Sequence, residues 1–100
     1  YAYALGALGF ALLESGGDPR EAVEVLARAE QAVLPHARDF MVVYDNAMRG
    51  LARAMKASGD TSGMRKVFGR YQALLDAEGI PDDSPWRRSL ARMQEQAAAG

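Results

Sequence analysis

Few side chains in this sequence are equipped for chemistry. His36 is the single histidine and there is no cysteine. That removes thiolate metal sites, disulfides and a cysteine nucleophile, and leaves too little imidazole for a Ser-His-Asp triad or a histidine metal cluster. His36 follows Pro35 where a helix should end, a common place for a surface histidine. Ser62 and Ser84 sit where turn and cap residues belong. Glu14, Glu21, Glu24 and Glu30 read as a solvated face, with no second acidic cluster to complete a divalent-cation site. Gly16-Gly17 lacks the Lys-Ser/Thr that makes a glycine turn into a phosphate loop. The reading is therefore of a chain that is not an enzyme, with no catalytic residue, no metal site and no cofactor.

Two groups of residues point to binding instead. Asn46, Arg49, Arg53 and Lys56 recur at steps of three and four, so on a helix they share one face. Such a stripe would hold a peptide carboxylate or an acidic segment through charge-assisted bonds. The plainer reading is a solvated face on which Asp45 partly neutralises Arg49. The second group is Tyr3, Ala7 and Phe10, which form an apolar face beside the stripe Tyr1, Leu5, Leu8 and Leu12. A terminal helix can bury one of these faces against its neighbour. The other should meet a preceding helix of a longer protein or a second copy of the chain, unless helices 3 to 5 curl round to cover it.

The elements that must position these groups are all helical. Helix 1 is expected from about Ala2 to Ser15, where Gly6 and Gly9 would allow close approach by a neighbour and Gly16-Gly17 stops the helix. Asp18 caps helix 2, with Pro19 at its first position and Glu21 in its first turn. Its stripe is Ala22, Leu26, Ala29 and Val33. Helix 3 is expected over Asp39 to Ser58, with Tyr44, Met48, Leu51 and Met55 as its stripe, widened by Ala47 and Ala52. Gly59-Asp60 ends it and caps helix 4, which carries Met64, Val67, Phe68, Tyr71 and Leu75. Ser84 and Pro85 start helix 5, with Trp86, Leu90, Met93 and Ala97 on one face. No stretch reads as a strand.

With 100 residues this is one domain or a piece of one, and it opens inside an apolar helical pattern, as a fragment of a larger protein would. The uncharged run from Tyr1 to Leu13 is too short to span a bilayer, which takes roughly 20 residues. No membrane association is expected, and a cytoplasmic location fits the lack of cysteine. Formal net charge is -1, divided between -3 over residues 1–36 and +2 over residues 37–100. That asymmetry suits head-to-tail protein contacts better than direct nucleic-acid binding.

Gly17-Asp18 and Gly59-Asp60 occupy equivalent places, so two helix-turn-helix units repeat at an offset of about 42 residues. Unit one covers about 1–36, unit two about 38–79, and a capping helix about 84–98. Gly17, Ala22, Leu26 and Ala29, answered by Gly59, Met64, Phe68 and Tyr71, make the chain resemble the tetratricopeptide repeat. That resemblance implies an all-α fold of antiparallel pairs in a right-handed array with a C-terminal capping helix. It also implies a groove lined by the first helix of each unit, which would place Asn46, Arg49, Arg53 and Lys56 inside it. Met64 and Tyr71 are larger than the family's usual residues, so the second pair should be splayed.

Residues 51–93 are similar to something narrower. Gly59-Asp60, Phe68, Tyr71, Leu74-Leu75, Gly79-Ile80-Pro81, Ser84-Pro85, Arg88 and Leu90 follow the order that ends the bacterial transcriptional activator domain of antibiotic-regulatory-type activators. This implies a protein-interaction and regulatory module, with DNA binding left to a winged-helix domain elsewhere. Its partner would be an adjacent domain, a second copy in a homodimer, or the transcription machinery. The alternatives are a helical repeat scaffold or sensor segment of a larger signalling ATPase and, more distantly, a small helical ligand-binding domain.

Overall fold

The computed structural model describes residues 1–99. It consists of α1 (Ala2–Glu14), α2 (Pro19–Val33), a 3-10 turn (Leu34–His36), α3 (Met41–Ser58), α4 (Thr61–Ala77) and α5 (Pro85–Ala98), with no strand among the described residues. No helix there is long and apolar enough to cross a membrane.

Local chemistry explains the boundaries. Asp18 accepts a hydrogen bond from the Arg20 amide at 2.9 Å, Asp60 from the Gly63 amide at 2.8 Å, and Ser84 from the Trp86 amide at 3.0 Å. Each satisfies a backbone donor that the first helical turn leaves free. α1 and α3 end alike, through a glycine in the left-handed region: Gly16 at φ 77° and Gly59 at φ 75°. The next amide then reaches back to the last turn, Gly17 to the Leu12 carbonyl at 2.9 Å and Asp60 to the Met55 carbonyl at 2.8 Å. The left-handed partner of Gly59 is thus Gly16, not Gly17, and the cap Asp18 stands two residues after Gly16 where Asp60 directly follows Gly59. α3 starts at Met41 rather than Asp39, because two successive turns, Asp39 to the His36 carbonyl and Phe40 to the Ala37 carbonyl, come first.

α3 is the central helix and packs against the other four, while α2 and α4 make little direct contact. The molecule measures 36 × 32 × 18 Å, and its thin dimension holds two layers of helices. The stripes of α2 and α3 point inward as their spacing requires: Ala22, Leu26, Ala29 and Val33 are buried, as are Tyr44, Ala47, Met48, Leu51 and Ala52. α5 buries Leu90 and Met93, with Trp86 half-buried against the same core.

Helix 1 follows its expected face only in part. Leu5 is buried and Leu12 packs against the core, but Tyr1 and Leu8 are exposed, and Gly6 and Gly9 are buried beside Leu5. The reason lies across the interface, where the side chain of Leu26 fills the space a Cβ at Gly9 would take: it would stand 2.4 Å from Leu26 Cγ. Gly50 of α3 faces the same leucine, and its Cβ would stand 2.8 Å from Leu26 Cδ1. Leu26 is therefore held between two glycines on two helices. No such approach exists at Gly6, which has open space where its Cβ would be.

Candidate protein-interaction cleft

Arg49, Arg53 and Lys56 project from the side of α3 opposite its buried stripe, and α1 and α5 flank them. Together these elements enclose an open cleft of about 580 Å³. Phe10 comes from α1, Ala52 lies on α3 between the cations, Met64 comes from α4, and Met93, Gln96 and Ala97 come from α5. The cleft thus combines cationic groups with apolar and thioether side chains. Asn46 lies outside it, half-buried, in a neighbouring recess of about 110 Å³ lined also by Tyr3, Ala7 and Phe10. Phe10 borders both spaces. The structure thereby brings both sets of sequence-selected residues to the seam between α1 and α3, with Tyr3 and Ala7 exposed and Phe10 half-buried against Gly50.

The cations differ in what they already hold. The Arg49 guanidinium donates through Nε to Asp45 Oδ2 at 2.9 Å and through Nη2 to Asn46 Oδ1. Lys56 donates to the Gln96 carbonyl at 2.7 Å, supplying a donor to the last turn of α5, whose carbonyls have no partner within the helix. Arg53 has no hydrogen bond or ion pair among the described residues. A ligand would find no internal partner to displace there.

The helices also bury a group of polar side chains not expected from the sequence. Glu30, expected on a solvated face, is only 2 % exposed and takes a two-pronged ion pair from Arg70, with Nε at 2.8 Å and Nη2 at 2.9 Å. This pair joins α2 to α4. It also raises the guanidinium's affinity for its proton, chiefly through the hydrogen bond to Glu30. Asp45 is buried as well. It accepts the Tyr71 hydroxyl at 2.6 Å and the Ser89 hydroxyl at 2.5 Å on one oxygen, and Arg49 on the other. Tyr44 and Tyr71 meet edge to face with ring centres 5.4 Å apart. Burial pushes both phenols well above their ordinary range. For Tyr44 the negative charge of Glu30 adds to the effect, and for Tyr71 the hydrogen bond to Asp45 does. Among the described residues the Tyr44 hydroxyl is buried without a partner.

A signal for Glu30 was present: it stands four residues after Leu26 and one after Ala29, on the edge of the buried stripe. Asp45 likewise adjoins Tyr44 within the stripe of α3. Among the described residues no three His, Cys, Asp or Glu side chains converge on a metal position, and His36 is exposed in the 3-10 turn. Comparison with protein-family models, curated proteins and solved structures finds no match to this chain.

Proposed function

We propose that this chain is a protein-interaction and regulatory module of a bacterial transcriptional activator, without chemistry of its own, its helices stacked as a right-handed tetratricopeptide-like array. The transcriptional part of this reading rests on the ordered resemblance over residues 51–93. The interaction part rests on one observation: Arg49, Arg53 and Lys56 border the same cleft as Phe10, Met64 and Met93. Cations beside an apolar floor suit a protein segment that presents carboxylates next to bulky apolar side chains. A bare phosphate backbone would leave Phe10 and the methionines unused.

The test is binding of a short fluorescein-labelled peptide of alternating leucine and glutamate, followed by anisotropy. Arg49→Glu with Arg53→Glu should abolish binding while the helical circular dichroism of the chain is unchanged. Undiminished binding by that variant would make the stripe a solvated face.

A second reading, self-association through α1, is favoured by the exposure of Tyr1 at 78 % and Tyr3 at 74 % beside exposed Phe40. Sedimentation should then show a dimer that Tyr3→Glu converts to a monomer. A wild-type monomer at all concentrations excludes it.

A further inference from the structure

Arg49 belongs to the cleft, yet what holds it comes from elsewhere in the molecule. A guanidinium carries five N–H groups. Here Nε is committed to Asp45 and one Nη2 hydrogen to Asn46, while Nη1 has no partner among the described residues. The side chain of Arg49 is 49 % exposed and that of Asp45 8 %. The outer edge of the guanidinium, Nη1 with the second Nη2 hydrogen, is the fork a carboxylate takes in a two-pronged pair. Asn46 thereby supports Arg49.

Asp45 is itself fixed by two further helices, Tyr71 of α4 and Ser89 of α5. α5 also supplies Met93, Gln96 and Ala97 to the wall of the cleft. Docking of α5 thus does two things at once: it completes the wall, and it places the Ser89 hydroxyl on the carboxylate that aims Arg49.

We propose that Asp45 is a positioning residue that latches α5 and α4 to Arg49, so that the cleft is competent for an acidic protein segment only when α5 is docked, and that such a segment in turn holds α5 in place. This rests on the cleft being the binding site. The reciprocity is required by thermodynamics: if docking of α5 tightens binding, binding must stabilise docking by the same factor. Breaking the latch leaves every cleft side chain present but lets the guanidinium rotate, which lowers affinity without removing charge.

The experiment compares the full chain with Ser89→Ala, Ser89→Thr and Tyr71→Phe. It records the Arg49 Nε–H resonance by NMR in the free protein and the leucine–glutamate peptide's affinity by anisotropy. The expected result is an Arg49 Nε–H that exchanges slowly in the wild type and fast in Ser89→Ala and Tyr71→Phe. Peptide binding should weaken by roughly fivefold in both, the scale of one lost hydrogen bond. Ser89→Thr, which keeps the hydroxyl, should restore both. Bound peptide should also slow hydrogen exchange of the α5 amides. A Ser89→Ala protein with wild-type Nε–H exchange and wild-type affinity overturns the latch. If the wild type binds no peptide, the cleft reading fails on its own, and the Nε–H exchange of the free proteins still decides whether Asp45 latches Arg49 to α5.

Discussion

Gly9 of α1 approaches Leu26 of α2 so closely that a single added carbon has no room, and Ala22 and Ala29 complete the buried stripe of α2 with small side chains. The hairpin of α3 and α4 is built otherwise. At the positions of Ala22 and Ala29, an offset of 42 residues later, stand Met64 and Tyr71, both buried, with Tyr44 edge-on against Tyr71. α3 and α4 accordingly lie in less close contact than α1 and α2. One turn-and-stripe pattern thus serves two ends. Small residues bring backbones together and gain dispersion contacts. Large rings hold helices apart, and the interior they create is lined with hydroxyls and carboxylates that must find partners. Tyr71 and Asp45 do so, and through Arg49 that polar interior reaches the cleft.

Close packing in the first hairpin converges on Leu26. Leu26→Ala should cost about 2–5 kcal/mol, since the side chain is fully buried between two helices. Gly9→Ala and Gly50→Ala should each cost about 1–3 kcal/mol by overpacking against that leucine. In the Leu26→Ala background the same glycine substitutions should become neutral or favourable, because the clash is gone and alanine is the better helix former by about 1 kcal/mol. Gly69 of α4 is the control, exposed with no heavy atom near its Cβ position. Gly69→Ala should stabilise in either background. Urea denaturation measures all of these. If Gly9→Ala costs the same with and without Leu26, close packing is not what distinguishes the first hairpin.

How much of this was legible in the sequence depends on how local the cause is. The caps at Asp18, Asp60 and Ser84 answer to backbone amides two or three residues away, and residue type with spacing suffices to place them. The stripes of α2 and α3 alternate with charged residues, so their faces were readable. α1 has no charge before Glu14, and its face is chosen by what fits against Leu26, a residue on another helix. Glu30 and Asp45 were harder, for a charged residue is ordinarily outside and its exceptions are set by partners distant in the chain. Arg70 is 40 residues from Glu30 and Ser89 is 44 from Asp45. The basic stripe itself followed from helical periodicity. That Lys56 already caps α5, while Arg53 is unpaired among the described residues, depends on where a later helix docks.

The last expected effect separates the two tyrosines of the second hairpin. Both are fully buried and their rings touch, so loss of either hydroxyl leaves the apolar packing nearly intact. Tyr71→Phe removes a donor from the buried carboxylate of Asp45 and should destabilise by about 1.5–3 kcal/mol, the scale of a hydrogen bond to a charged group. Tyr44→Phe removes a hydroxyl that has no partner and stands near the charge of Glu30, and should be neutral or stabilising by up to about 1 kcal/mol. The alkaline limb gives an independent reading. Burial raises both phenols in the folded state, so above the ordinary tyrosine value of 10.0 the unfolded chain releases protons that the folded chain retains. The unfolded state then binds fewer protons, and stability must fall as pH rises through that range. Each single substitution removes one such phenol and should make the fall shallower by a similar amount. At neutral pH the two variants should differ in sign, and in their alkaline slopes they should agree. Equal losses of stability at neutral pH would mean that the Tyr44 hydroxyl has found a partner of its own, and the polar interior of α3 and α4 would then be satisfied throughout.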